Sequence, residues 1–158
     1  MKIKFLFLAT AFAIALPISK AQDCAGFQKK AGCSQASEEG FMYNSQSKAG
    51  LFAPGTKSNL KVVFYGGFDY SISLCSDKIF GTAGLDFTLT DTKTGEVLYN
   101  NATDSKSQHM EFSCEDTRAV TISVTVPGTP PKKGSGKSYD GGCVGVLIEQ
   151  KPTTKVGF

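Results

Sequence analysis

Residues 60–75, LKVVFYGGFDYSISLC, constrain the fold more than any other stretch of the chain. Successive side chains of an extended strand point to opposite faces, so Leu60, Val62 and Phe64 share one side and Lys61, Val63 and Tyr65 the other. Beyond Gly66 and Gly67, the residues Tyr70, Ile72 and Leu74 alternate with Asp69, Ser71 and Ser73, the pattern of a strand with one wet face. Two such runs around a Gly-Gly pair predict a β-hairpin. The Val63–Tyr65 side of the first run is half apolar and needs a cover, for which the residues before 41 are the candidate.

The same period of two continues on both sides of this stretch. Leu85, Phe87 and Leu89 alternate with Asp86, Thr88 and Thr90, and after DTKTGE a further run over 96–100 predicts a second hairpin with Gly95 at its positive-φ position. Met110 and Phe112 point inward from a run over 108–113. Val120, Ile122, Val124 and Val126 form the buried face of the longest run, 117–126, which Pro127 ends because proline cannot donate to a ladder. Residues 143–150, CVGVLIEQ, predict a last, central strand, and Phe41 opens a short one over 41–44. Residues 45–58 read as a connection turning at Pro54-Gly55, and 127–142 as a long loop carrying Lys132, Lys133 and Lys137. About eight evenly spaced short strands predict an all-β fold, an antiparallel two-sheet β-sandwich of jelly-roll-like arrangement. Residues 23–40 predict a short helical segment ending near Gly40.

The chain opens with Lys2 and Lys4, an apolar run from Phe5 to Leu16 and a small-residue exit at Ser19-Lys20-Ala21, which predicts a secretory signal peptide over 1–21. Residues 22–40 then form a cysteine-containing segment and 41–158 the β-sandwich domain. Removing Lys2, Lys4 and Lys20 from 17 basic residues leaves 14, equal to the 14 acidic ones, so the balance points to no nucleic-acid partner. No later stretch has the ~20 apolar residues that a spanning helix needs. All five cysteines follow the leader, where oxidation is permitted. They show no CxxC pair, and the one histidine, His109, lies five residues from Cys114, so zinc spacing is missing and no metal site is expected. Two disulfides are expected among Cys24, Cys33, Cys75 and Cys143, pairing Cys24 with Cys33 and Cys75 with Cys143.

Catalytic candidates are few. His109 has wet-face parity opposite Met110 and Phe112; without a GxSxG elbow, no serine partner is picked out by spacing. Glu38-Glu39 and Glu115-Asp116 are neighbours in sequence beside expected turns, where solvated charge is the plainer reading than acid/base chemistry. Asp91 to Glu96 lacks the ligand spacing of a calcium loop. Asn101-Ala102-Thr103 matches the N-glycosylation sequon in a predicted surface loop, of little weight in a bacterial host. No catalytic residue and no cofactor are expected. The best binding candidates are aromatics at the Gly66-Gly67 turn: Tyr70 shares the face of Ile72 and Leu74 and belongs to the core, which leaves Phe68 as the exposed ring, with Tyr65 beside it.

F-x-Y-N-x-Q-S-K at 41–48, G-x-D-Y-x-I-x-x-C at 67–75, V-L-Y-N-N at 97–101 and G-C-V-G-V-L-I at 142–148 together resemble a group of small secreted proteins of Gram-negative bacteria without an assigned activity. The resemblance spans nearly the whole exported part and implies a shared strand-and-turn framework while naming no site. By architecture the chain is also loosely similar to pre-peptidase C-terminal-type domains, non-catalytic companions of secreted enzymes. The resulting expectation is an exported, non-catalytic module in the periplasm or at the cell surface, binding a protein or glycan of the envelope, for which an edge strand offers one route. A small secreted hydrolase using His109 and a structural subunit of a surface assembly are the alternatives.

Overall fold

The structure is a computed structural model that describes residues 23–30, 32–33, 36–81, 83–130 and 141–154. The leader expected over 1–21 and the loop lysines Lys132, Lys133 and Lys137 lie outside the described residues. Two antiparallel sheets pack face to face as a β-sandwich. The strands are β1 (Met42–Tyr43), β2 (Lys48–Phe52), β3 (Lys57–Phe64), β4 (Phe68–Ser76), β5 (Asp86–Asp91), β6 (Val97–Asn100), β7 (His109–Cys114), β8 (Arg118–Thr125) and β9 (Gly142–Pro152), and one four-residue helix, α1, covers Phe27–Lys30. One sheet runs β1-β9-β4-β7, with β2 also on β9; the other runs β3-β8-β5-β6.

Alternation places the core as the sequence predicts. Val120, Ile122, Val124 and Val126 are at most 3% exposed, and Phe64, Tyr70, Ile72 and Ile148 are fully enclosed between the sheets. The β5–β6 hairpin forms with Gly95 at φ +76 and a register shift after Leu89. There Asp91 Oδ1 accepts from the N–H groups of Lys93 (2.8 Å) and Thr94 (2.9 Å), so the Asp91 carboxylate is committed to the turn. The same backbone bonds, that from Thr94 foremost, hold its pKa below the usual aspartate value.

Residues 60–75 are not a hairpin. β3 pairs with β8 and β4 pairs with β7 and β9, so the Gly66-Gly67 turn carries the chain from one sheet to the other. A Cβ on Gly66 would lie 2.4 Å from the Glu115 carbonyl oxygen, which makes glycine obligatory where the crossing chain passes the β7–β8 connection. Tyr70 locks the crossing by accepting the Tyr65 N–H at its hydroxyl (2.8 Å), while its ring stacks on Phe112 with centroids 5.7 Å apart. The connection expected over 45–58 contains β2, held by main-chain pairing from Lys48 opposite Val146 to Phe52 opposite Gly142. β9 is central, as expected, touching β1, β2 and β4.

The segment before residue 41 lies on the outer face of the five-stranded sheet rather than over Val63 and Tyr65. Helix α1 packs on β9 and β2. Gly145 permits this approach, since a Cβ there would sit 2.8 Å from Gln28 Cβ and 2.9 Å from its Cα. The expected cysteine pairing is corrected too: Cys24 is bonded to Cys143 and Cys33 to Cys75. Cys143 and Cys75 stand on adjacent strands of one face, and each takes a cysteine of the segment crossing it, so neither pairs within its own region. The fifth cysteine, Cys114, is a buried thiol.

Candidate functional site

Two places gather side chains that could act, the outer face around His109 and the open side of the sandwich between β6 and β7. On the outer face, Ser71, Glu111 and His109 meet through the antiparallel register of β4 and β7, which sets Ser71 opposite Glu111 and Ser73 opposite His109. Ser71 Oγ lies 3.0 Å from His109 Nε2, and Glu111 Oε1 lies 3.3 Å from the same nitrogen. A hydrolytic triad needs the nucleophile on one ring nitrogen and the orienting carboxylate on the other, because the base must be held by one and accept the proton at the other. Here both partners contact Nε2. Ser71 is moreover 1% exposed, so its oxygen has no substrate access.

The Glu111 carboxylate is instead an anchor for the crossing segment. Its Oε1 accepts the Ser37 N–H (2.6 Å) and its Oε2 the Ser37 hydroxyl (2.7 Å), while Glu149 Oε2 accepts the Ala36 N–H (2.9 Å). Burial pushes the Glu111 pKa up, but the two Ser37 bonds, with the charges of His109 and Lys151, outweigh it and leave it below the usual glutamate value. Glu38 pairs with Lys151, whose ammonium also sits over the Phe41 ring, and the Glu38 bond, with Asp69 and Glu111 nearby, holds the lysine pKa above its ordinary value. Side-chain bonds from Glu111, Glu149 and Lys151 and two disulfides thus fasten the described part of the segment before β1 across this face as a cover.

The sandwich has two open sides where the sheet edges meet. Between β2 and β3 lies a groove of about 150 Å³ walled by Phe52, Leu60 and Val144. The Val126 N–H donates to the Thr56 carbonyl (2.9 Å), which sets the β3 parity so that Lys57, Asn59, Lys61 and Val63 turn their main-chain groups outward. Gln46 satisfies Val63 as a neighbouring strand would: Nε2 donates to the Val63 carbonyl (2.9 Å), and the Val63 N–H donates to Oε1 (2.8 Å). Lysines at two of the three remaining outward positions guard the edge.

Between β6 and β7 the opening is larger, about 290 Å³, and mainly apolar: Leu98 and Tyr99 from β6 face Met110, Phe112 and Cys114 from β7 above a floor of Phe64, with Glu115 and Arg118 at the rim. The Leu74 N–H donates to the Gln108 carbonyl (2.8 Å), so His109, Glu111 and Ser113 are the outward residues of β7. Ser107 Oγ donates to the His109 carbonyl (2.6 Å) and accepts its N–H (3.3 Å). Beyond that, Glu111 is an exposed residue although its side chain is only 26% exposed, so its main chain meets solvent. Val97 (59%) and Leu98 (37%) stand bare on the facing strand. Tyr99 donates to Asp104 Oδ2 (2.7 Å); burial first, then that bond and charge, push its pKa up to about 12, so it acts as a neutral donor. Burial likewise pushes the Cys114 thiol up, which makes it a poor nucleophile.

The remaining candidates fall away from this opening or change places. Tyr65, not Phe68, is the exposed ring at the turn, at 56%; Phe68 packs against the core with its centroid 6.4 Å from that of Tyr70. Phe68 shares the parity of Tyr70, Ile72 and Leu74 along β4, so alternation itself turns it towards the core and leaves Tyr65, just past β3, as the exposed ring. Asn101 is 0% exposed rather than on a surface loop: its Oδ1 accepts the Phe87 N–H (2.9 Å) and its Nδ2 donates to the Leu85 carbonyl (2.8 Å), so the sequon nitrogen is sealed. Among the described residues no three His, Cys, Asp or Glu side chains gather as around a metal ion, and no helix is long and apolar enough to cross a membrane. The β6–β7 residues were not singled out by spacing, but Val97-Leu98-Tyr99 breaks strict alternation, the one local sign of a strand without a clean wet face.

No family model matches this chain, and no curated protein matches it. Among solved structures it is similar to the crystal structure of Aeromonas hydrophila PliG, a periplasmic lysozyme inhibitor of g-type lysozyme, with a TM-score of 0.45 at 11% identity over 75% of this chain and 93% of that one. A likeness this remote carries nothing about ligand or activity.

Proposed function

We propose that this protein is an exported, non-catalytic binding module whose partner, a protein of the cell envelope, docks on the open side of the sandwich between β6 and β7. The observation that carries the reading is the apolar opening of about 290 Å³ bounded by the bare Leu98 and the exposed main chain of β7. Export is supported by the two disulfides, which persist in oxidising compartments. A non-catalytic role is supported by the convergence of Ser71 and Glu111 on a single nitrogen of His109 and by the enclosure of Ser71. Tyr65 remains a second contact candidate at the far end of β7, past Gly66.

The experiment is capture from bacterial envelope extracts with immobilised wild type, Leu98→Asp, which puts a charge at the mouth of the opening, and His109→Ala. A protein held by wild type and His109→Ala but released by Leu98→Asp is the expected result. Identical profiles from all three would sink the placement of the site, and a hydrolytic activity lost only in His109→Ala would replace the reading with the hydrolase.

A further inference from the structure

We infer that the β7 edge is built to receive an extended polypeptide segment as an added strand, with apolar side chains on one face and lysine or arginine on the other. This deepens the binding reading above and rests on it. Three observations converge. First, β7 presents consecutive outward positions at Glu111 and Ser113, to whose main-chain groups no side chain among the described residues bonds, whereas the outward groups of His109 are closed off by Ser107. An added strand finds there the alternating donors and acceptors that a ladder requires. Second, alternate side chains of such a strand would turn inward, beside Met110 and Phe112 and over Leu98, into the apolar opening. A free edge and an apolar slot under it supply the two things strand addition needs, main-chain pairing and side-chain pockets. Third, the charge beside the edge is acidic on balance: Glu111, Glu115 and Asp116 lie along and just beyond it against Arg118 at the mouth of the opening, and the nearby Lys151 is taken by Glu38.

The charge pattern also selects the occupant. A second copy of this chain pairing β7 to β7 about a two-fold axis has three registers available on so short an edge. Setting Glu111 against Glu111, or Ser113 against Ser113 with Glu111 against Glu115, opposes carboxylates directly. Setting Glu111 against Ser113 brings Glu111 and Glu115 of both copies onto diagonal positions of one face. Like charges at opposed or diagonal positions weaken a cross-strand pair. A foreign strand with basic residues at its outward-facing positions reverses the sign of that term, and the same acidic rim then favours it.

The test follows hydrogen exchange at the Glu111 and Ser113 amides in the disulfide-intact protein with a blocked nine-residue peptide alternating lysine and valine. Controls are its glutamate-for-lysine counterpart and a version N-methylated at every second residue. At free peptide near ten times Kd, exchange at both amides slows by about tenfold if the peptide adds as a strand. The effect is expected to vanish with the glutamate peptide, the N-methylated peptide and Leu98→Asp. Slowing that appears without peptide and grows with protein concentration would overturn the inference in favour of self-pairing. Unchanged amides, alongside anilinonaphthalene sulfonate fluorescence lost in Leu98→Asp, would overturn strand addition and leave the apolar binding site standing. Absence of both signals would sink the site with it.

Discussion

The β2–β3 and β6–β7 sides of the sandwich pose the same physical problem and meet it differently. Each is a place where two sheets end, where main-chain groups lack a neighbour and core side chains approach solvent. On the β3 edge the problem is answered with a Gln46 amide bonded twice to Val63 and with Lys57 and Lys61 at outward positions. Among the described residues, the β7 edge has the Ser107 hydroxyl closing His109 and then no side chain bonded to its outward main chain, over an opening about twice the volume of the other. An edge guarded on one side and left open on the other is what a binding surface requires of the rest of the molecule: one docking direction without self-pairing at the opposite edge.

The largest effect separates the floor of the opening from its lip. Phe64 is fully enclosed and packs edge-on to Tyr70 with centroids 4.6 Å apart, so Phe64→Ala removes core as well as site and is expected to cost about 3–5 kcal/mol in denaturant unfolding. Leu98→Ala, at a position 37% exposed, should cost under about 1 kcal/mol. Similar losses for the two would mean that the opening is packing left unfinished rather than a preformed site.

Next in size is the seal on the guarded edge. Gln46→Ala takes both partners from Val63, and because water reaches an edge strand the expected cost is about 1 kcal/mol, with faster exchange at the Val63 amide. The β7 counterpart, Ser107→Ala, frees the His109 amide in the same way but lengthens an edge that is already open. Self-association should therefore appear in the Gln46→Ala, Lys57→Thr, Lys61→Thr variant by light scattering and not in Ser107→Ala, where the acidic rim still repels a second copy. Association of Ser107→Ala alone would break the contrast between the edges.

Much of this was legible in the chain before any coordinates, and what was not shares one cause. Period-two alternation placed Phe87, Leu89, Ile122 and Val124 in the core because a sandwich strand has one dry face and the pattern is local. The Gly66-Gly67 turn misled because a glycine pair serves a hairpin and a crossing between sheets equally well; the decision rests on the eight-residue register of β3 with β8, which no local pattern contains. β2 escaped because Ala49 and Gly50 carry no alternation and the strand is held by its main chain. The Cys24–Cys143 bridge spans 119 residues, and its partners are matched only once the first segment crosses the finished sheet. The opening between β6 and β7 is non-local in the same sense: Leu98, Met110 and Phe112 each read as ordinary strand residues, and only the meeting of two sheet edges makes them a site.

The smallest effect is the one that titrates the two edges apart. Glu111 has its folded pKa lowered below the ordinary glutamate value of 4.5. A depressed carboxylate contributes stability that is present above the unfolded pKa and is lost as pH falls through the folded one. Wild type should thus exceed Glu111→Gln by about half a kcal/mol at neutral pH, given the partial exposure of the group, and the difference should close progressively below the ordinary glutamate value. Glutamine keeps an acceptor for Ser37 but not the charge, so the pH-dependent part isolates the ionised anchor. The β3 edge places no carboxylate at its outward positions, so Lys61→Gln should leave the acid limb of the stability curve where it is. A basic strand held on β7 in part by Glu111 should weaken over the same acid range, as that carboxylate takes up its proton. Stability and peptide affinity falling together in wild type, with Glu111→Gln losing part of both dependences, would tie the anchor and the rim to one group. If Glu111→Gln binds the peptide as tightly as wild type at neutral pH while the stability difference persists, Glu111 serves the cover alone, and the sign of the edge falls to Glu115 and Asp116.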